Sequence, residues 1–137
     1  MVSKALGIDY GIKRIGVAIS DEIGIIATAL ETVATNEIWA YLEVLIPKEN
    51  ISAIVVGEPM GLGGMATDST AAANNFSARL AKRYPHIQVA RMNEMFTSKL
   101  ARRSMIESGM SKKKRQTKGA VDQISAAIIL QDWLNQQ

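Results

Sequence analysis

The stretch Ala5-Leu6-Gly7-Ile8-Asp9-Tyr10-Gly11-Ile12-Lys13-Arg14-Ile15-Gly16-Val17-Ala18-Ile19-Ser20-Asp21 constrains this chain more than any other. It reads as two short strands joined by a glycine-flanked turn, and Asp9 interrupts the first of them. A carboxylate placed in an apolar run beside Tyr10-Gly11 must find a cation, a donor or water. Two readings follow from this segment alone: a turn aspartate bonding its own backbone before a glycine, or a carboxylate that binds metal.

Charge narrows what such an acid could serve. The 137 residues carry a net charge of +3, unevenly spread. Residues 1–78 hold four Lys/Arg against nine Asp/Glu, and residues 79–118 hold twelve against two. Basic density of that kind is the electrostatic footprint of a polyanionic partner, here nucleic acid, and a solvated basic face is the plainer alternative. Cysteine is absent and His86 is the single histidine, so disulfides and thiolate sites are excluded and any metal has to be held by oxygen. Met1-Val2-Ser3-Lys4 leads straight into a strand, and nowhere do about 18 apolar residues run uninterrupted. These features predict a cytoplasmic protein with no membrane partner. The length suits a single domain over 1–137 with a real core, and is too short for two lobes.

Along the chain, Ile25 to Val33 alternates as a third strand, completing an antiparallel meander. Thr35 or Asn36 is expected to cap a helix with Ile38, Trp39, Leu42, Leu45 and Ile46 on one face, ended by Pro47. Ile51–Gly57 is an almost continuous apolar run, as in a parallel strand covered on both faces. The glycine-rich loop Glu58–Ala66 follows it and lacks the Gly-Lys-Ser/Thr of a phosphate-binding loop. It reads either as a substrate-side loop or as a connector. A helix capped by Thr67 or Asp68 is predicted to about Tyr84, with Ala71, Ala72, Phe76, Leu80 and Ala81 inward. Ile87–Met92 alternates as a strand, with Asn93-Glu94 at its end. Another helix is expected from Thr97-Ser98 to Gly109, then a basic loop Ser111–Gly119 with five cations and no acid. The last helix, Ala120 to about Leu134, is apolar over most of its circumference (Val121, Ile124, Ala127, Ile128, Leu130, Leu134) and is expected to be well buried, with Asp122 in its first turn.

Several motifs, in this order, resemble the YqgF/RuvX family of ribonuclease-H-like proteins, linked to Holliday junction resolution and pre-16S rRNA processing. They are Gly7-Ile8-Asp9-Tyr10-Gly11, Arg14-Ile15-Gly16-Val17-Ala18 with Ser20-Asp21, Ile54-Val55-Val56-Gly57-Glu58-Pro59, Glu94 with Thr97-Ser98, and Lys118 with Val121-Asp122-Gln123-Ile124-Ser125-Ala126-Ala127 and Ile129-Leu130. The resemblance implies an α/β, ribonuclease-H-like three-layer fold: a five-stranded mixed sheet, helices on both faces, the first three strands antiparallel and two more added parallel beside strand one. It further implies that Asp9, Glu94 and Asp122 converge as catalytic and metal-binding residues. Convergent carboxylates repel unless divalent cations neutralise them, and Mg²⁺ or Mn²⁺ suits oxygen donors. Arg14, Lys99, Arg102, Arg103, Lys112, Lys113, Lys114, Arg115 and Lys118 are the expected contacts to the nucleic-acid backbone.

Two departures from the family pattern stand out. Where the family reads Asp-Glu-Arg, this chain has Asn93-Glu94-Met95, and an acid, Glu58, precedes Pro59 where an apolar residue is usual. The expected function is a metal-dependent endonuclease acting on precursor 16S rRNA or on branched DNA. The competing reading is a nucleic-acid-binding module of the same fold with weakened or lost catalysis. A third, a phosphotransferase related to sugar kinases through Asp-x-Gly, needs two lobes and so conflicts with the length. Monomer and homodimer both remain open.

Overall fold

A computed structural model describes residues 3–58, 68–93 and 120–137. Three strands open the chain: β1 (Lys4–Asp9), β2 (Arg14–Ser20) and β3 (Ala27–Ala34). A short 3-10 turn (Thr35–Glu37) leads into α1 (Ile38–Glu49), followed by β4 (Ile51–Glu58), α2 (Asp68–Arg83), β5 (Gln88–Asn93) and, last among the described residues, α3 (Ala120–Asn135). The sheet order is β3-β2-β1-β4-β5. β1 pairs antiparallel with β2 and parallel with β4, and β4 pairs parallel with β5. The expected mixed sheet is therefore present, with the meander on one side of β1 and the parallel pair on the other.

Strand alternation sorts the sheet into two unlike faces. Leu6, Ile8, Ile15, Val17, Ile54 and Val56 point one way and pack with Leu42, Phe76 and Leu80 from α1 and α2. The opposite face is made of small residues, Ala5, Ala18 and Ala53 with Val55, and receives α3 through Ala126, Ile129, Leu130 and Leu134. Gly7 shares that face. A Cβ there would lie 2.6 Å from the Ala126 carbonyl oxygen and 2.7 Å from the Leu130 Cβ, so only glycine lets α3 sit this close.

Several local expectations are corrected. The third strand starts at Ala27, because Ile25 and Ile26 are tied into the preceding turn by the Asp21 carboxylate. Pro47 lies inside α1 and does not end it; the helix closes at Asn50, whose left-handed conformation (φ 53°) lets its N–H reach the Ile46 carbonyl. Pro47 is exposed, so the carbonyl of Glu43 that loses its partner can turn to water. Neither Thr35 nor Asn36 caps α1; Thr35 Oγ1 donates to the Gly11 carbonyl instead. On α2 the inward stripe is Ala73, Phe76, Ser77 and Leu80, while Ala71 and Ala81 are exposed. On α3 the fully buried stripe is Ser125, Ala126, Ile129, Leu130 and Leu134, and Ile124, Ala127 and Ile128 are half-buried. The helix expected from Thr97 to Gly109, the loop Ser111–Gly119 and the loop after Glu58 lie outside the described residues. No helix among the described residues is long and apolar enough to cross a membrane.

Candidate active site

Asp9 is the last residue of β1, and alternation places it on the small-residue face with Ala5 and Gly7. Across the ladders it is level with Gly16 of β2 and Gly57 of β4. Gly16 is the second close approach: a side chain there would run into the backbone of Asp122 and Gln123 at the start of α3. Asp9 and Asp122 are thereby drawn to the same point, one beside Gly16 in the sheet and the other above it. Both are half-buried. The approach of the start of α3 to the strand end that carries Asp9 has a backbone cause, since two glycines let a helix lie directly on two strands.

Asp122 belongs to the first turn of α3, where the positive end of the helix dipole favours an anion. It accepts a hydrogen bond from Arg14 Nε, an ion pair spanning 108 residues of sequence. Side-chain exposure is 41% for Arg14 and 25% for Asp122, so the pair borders solvent and its net contribution to stability is at most about 1 kcal/mol. Arg14 is an expected nucleic-acid contact; in the structure its guanidinium pairs with the Asp122 carboxylate. The short turn between Asp9 and Arg14 is itself held from outside. Thr35 Oγ1 donates to the Gly11 carbonyl at 2.7 Å, the Thr35 N–H donates to the Lys13 carbonyl at 3.1 Å, and the Thr35 carbonyl accepts the N–H of Ile38 at the start of α1.

Other motif residues serve the frame. Ser20 Oγ accepts the Ala5 N–H at 2.8 Å, joining β1 to β2. Asp21 Oδ1 accepts the N–H groups of Ile25 (2.7 Å) and Ile26 (3.1 Å). Those backbone bonds, that from Ile25 foremost, hold the Asp21 carboxyl below the usual carboxylate range. Both residues lie at the far end of β2 from Arg14. His86 is exposed in the connection before β5, at the opposite end of the parallel strands from Asp9. Glu94, Lys99, Arg102, Arg103, Lys112, Lys113, Lys114, Arg115 and Lys118 lie outside the described residues. What sequence reading missed is Gly16 as the seat of Asp122, although its signal was present: a glycine inside an otherwise apolar strand marks a close backbone approach.

Chemically, two half-buried carboxylates at one strand end offer hard oxygen donors beside a guanidinium. That set suits a divalent cation and a phosphate together.

Residues 3–136 match the family profile described as RuvX, Holliday junction resolvase. A protein of Flavobacterium johnsoniae bearing the name "Putative pre-16S rRNA nuclease" is 42% identical over 132 residues, covering 96% of both chains. One of the same name from Bacteroides thetaiotaomicron is 41% identical over 133 residues, covering 97% of this chain and 96% of its own. Among solved structures, T. thermophilus RuvC in complex with a Holliday junction substrate superimposes with a TM-score of 0.60 at 18% identity, covering 98% of this chain and 94% of that one. The yeast mitochondrial Holliday junction resolvase gives 0.58 at 13%, covering 97% and 78%. At such identities the likeness is one of fold, and the sheet described above is that of the RuvC-like ribonuclease H architecture.

Proposed function

Because this chain belongs to the RuvX family, we propose that it is a metal-dependent endonuclease that hydrolyses phosphodiester bonds in structured nucleic acid. Residues 1–137 act in this reading as a single nuclease domain, with the 5′ end of precursor 16S rRNA as the first substrate and a Holliday junction as the second. One observation supports it: the backbone of Asp122, remote in sequence, lies against Gly16, the ladder partner of Asp9 at the end of β1.

The donor set fits Mg²⁺ or Mn²⁺, since both carboxylates are half-buried oxygen donors, and Glu94, which follows β5 directly in sequence, would supply a third. Asp9, Glu94 and Asp122 would hold the cation. Such an ion supplies charge neutralisation at the phosphate and acidifies water. The chain's own residues do the rest. Arg14 fixes the Asp122 carboxylate through Nε and keeps further N–H donors for a phosphate oxygen. Thr35 fixes the turn that presents Arg14. Lys99, Arg102, Arg103, Lys112, Lys113, Lys114, Arg115 and Lys118 bind the sugar-phosphate backbone without reading sequence.

The test incubates the protein with precursor 16S rRNA and with a four-way DNA junction, each with Mg²⁺, Mn²⁺ or chelator. Cleavage of the rRNA that chelator abolishes is the expected result; cleavage indifferent to chelator overturns the metal dependence. Asn93-Glu94-Met95 favours a second reading, a binding module with lost catalysis. Replacing Asn93 by Asp and Met95 by Arg separates the two, because a weakened enzyme gains activity and a pure binding module stays silent.

A further inference from the structure

Across the sheet from Asp122, α1 and α2 leave two contiguous hollows. The first, about 380 Å³, is lined by Tyr10, Asn36, Trp39, Asn75, Phe76 and Arg79 among others. The second, about 290 Å³, is lined by Trp39, Arg79, Lys82 and Arg83. They share Trp39 and Arg79, and the described residues that line them include no acid. Inside, Phe76 lies 5.1 Å from the Tyr10 ring and 5.2 Å from the Trp39 ring, centroid to centroid. Above Trp39 stand the guanidinium groups of Arg79, at 4.9 Å, and Arg83, at 5.4 Å. Arg83 also pairs with Glu43, which leaves Arg79 and Lys82 as the freer charges of the rim. The cations come from one face of α2, at spacings of three and four residues.

Three features narrow the ligand. Aromatic surface beside cations, with no acid among the described lining residues, selects an anion that also carries a flat ring. Exposed amides at Asn36 and Asn75 offer both donors and acceptors, as the edge of a base requires. Tyr10 directly follows Asp9, so the first hollow opens where the candidate catalytic strand ends. A duplex keeps its bases stacked and has none to insert, whereas an unpaired strand has.

We propose that these hollows bind a single-stranded polynucleotide segment, one base lying among Tyr10, Trp39 and Phe76 with its edge toward Asn36 and Asn75, and its phosphates over Arg79, Lys82 and Arg83. The assignment deepens the nuclease reading and rests on it for the identity of the strand: it is the unpaired flank of the substrate being cut.

Trp39 reports directly on occupancy. The chain has two tryptophans, so Trp133→Phe, on the opposite face of the sheet, leaves Trp39 as the sole tryptophan, excited apart from the tyrosines at the red edge of absorption. Short single-stranded RNA and DNA, and a blunt duplex of the same sequence, are titrated against this protein. Saturable quenching by the single strands and little by the duplex is expected, with the RNA and DNA arms deciding which sugar is preferred. Asn36→Ala with Asn75→Ala, both exposed and so harmless to folding, weakens single-strand affinity about tenfold. Arg79→Gln with Lys82→Gln lowers the slope of log affinity against log salt by about 1.4, two phosphate contacts at about 0.7 each. Quenching that is absent, equal for duplex, or unchanged in these variants overturns the proposal. The two readings fail separately: a protein that binds single strands this way and never cuts keeps the hollow and loses the nuclease, whereas one that cuts with affinity untouched by these variants loses the hollow alone.

Discussion

The two faces of the sheet are built by opposite rules. Toward α1 and α2 the strands present Leu6, Ile8, Ile15, Val17, Ile54 and Val56, large side chains that keep the helices at a distance and bury most of the apolar surface. Toward α3 they present alanines, Gly7 and Gly16, so that helix backbone rests on strand backbone. The large-residue face stabilises through burial, and many combinations of hydrophobic residues do that equally well. Its counterpart seats the start of α3, with Asp122, directly on the strand end that carries Asp9. Position, more than stability, is what the small-residue face contributes.

The largest effect should come from the acid at its edge. Asp9→Asn is expected to lower single-turnover cleavage by about 10³-fold or more, roughly 4 kcal/mol of barrier. Its melting temperature should stay the same or rise, because a crowded carboxylate is removed. Low melting with cleavage retained would make Asp9 a structural turn residue.

Next comes a matched pair of core changes. Leu80→Ala, on the large-residue face, should cost about 2–5 kcal/mol of unfolding free energy and leave cleavage per folded molecule near wild type. Gly16→Ala should cost about 1–3 kcal/mol by overpacking, yet reduce cleavage by about 10²-fold as Asp122 is pushed out of place. Denaturant melts and cleavage on the same preparations measure both. The distinction between the faces collapses if activity tracks stability equally in the two variants.

Arg14→Gln is a smaller perturbation. The pair is partly solvated, so stability should drop by no more than about 1 kcal/mol. With the guanidinium gone, Asp122 is left free for a cation, so the Mn²⁺ concentration giving half-maximal cleavage should fall while nucleic-acid affinity weakens. An unchanged metal dependence would mean that Arg14 serves phosphate alone.

The smallest effect concerns the far end of β2. Because hydrogen bonds depress the Asp21 carboxyl, its contribution to stability is fully present above the unfolded value, about pH 4, and is lost as pH falls through the lower folded value. Wild type should therefore lose slightly more stability than Asp21→Ala as pH falls below about 4 in thermal melts. Parallel melting curves for the two proteins would show that the turn bonds carry no net charge effect.

Much of this was legible in the sequence. The antiparallel meander and the buried parallel character of β4 were readable as patterns, Asp9 stood out as an acid in an apolar run, and the family resemblance implied the order and direction of the whole sheet together with Asp122. Legibility failed where a residue type is neutral between alternatives. Alanine suits either side of α2, so Ala71 and Ala81 were read as inward while the real stripe includes Ser77, whose hydroxyl is satisfied at the Ala73 carbonyl. Pro47 was read as a stop because helix interiors rarely forgive it, but on an exposed last turn the carbonyl that loses its partner can turn to solvent. The pairing of Arg14 with Asp122 joins residues 108 apart, and no local pattern encodes that. Nor does the sequence announce the aromatic hollow, since Trp39 looks like one more apolar position of α1.

The backbone seat of α3 also bears on how this protein can vary. At positions 7 and 16 the space beyond Cα is already occupied by main chain, which cannot rotate aside as a side chain can. A library randomised there and selected for cleavage should return glycine at both, whatever else is allowed to drift. Positions 6, 8, 54 and 56, randomised together, should return many solutions. Inherited change in the catalytic geometry would then have to enter through the loops and helix ends around the seat, because the seat itself admits a single residue type.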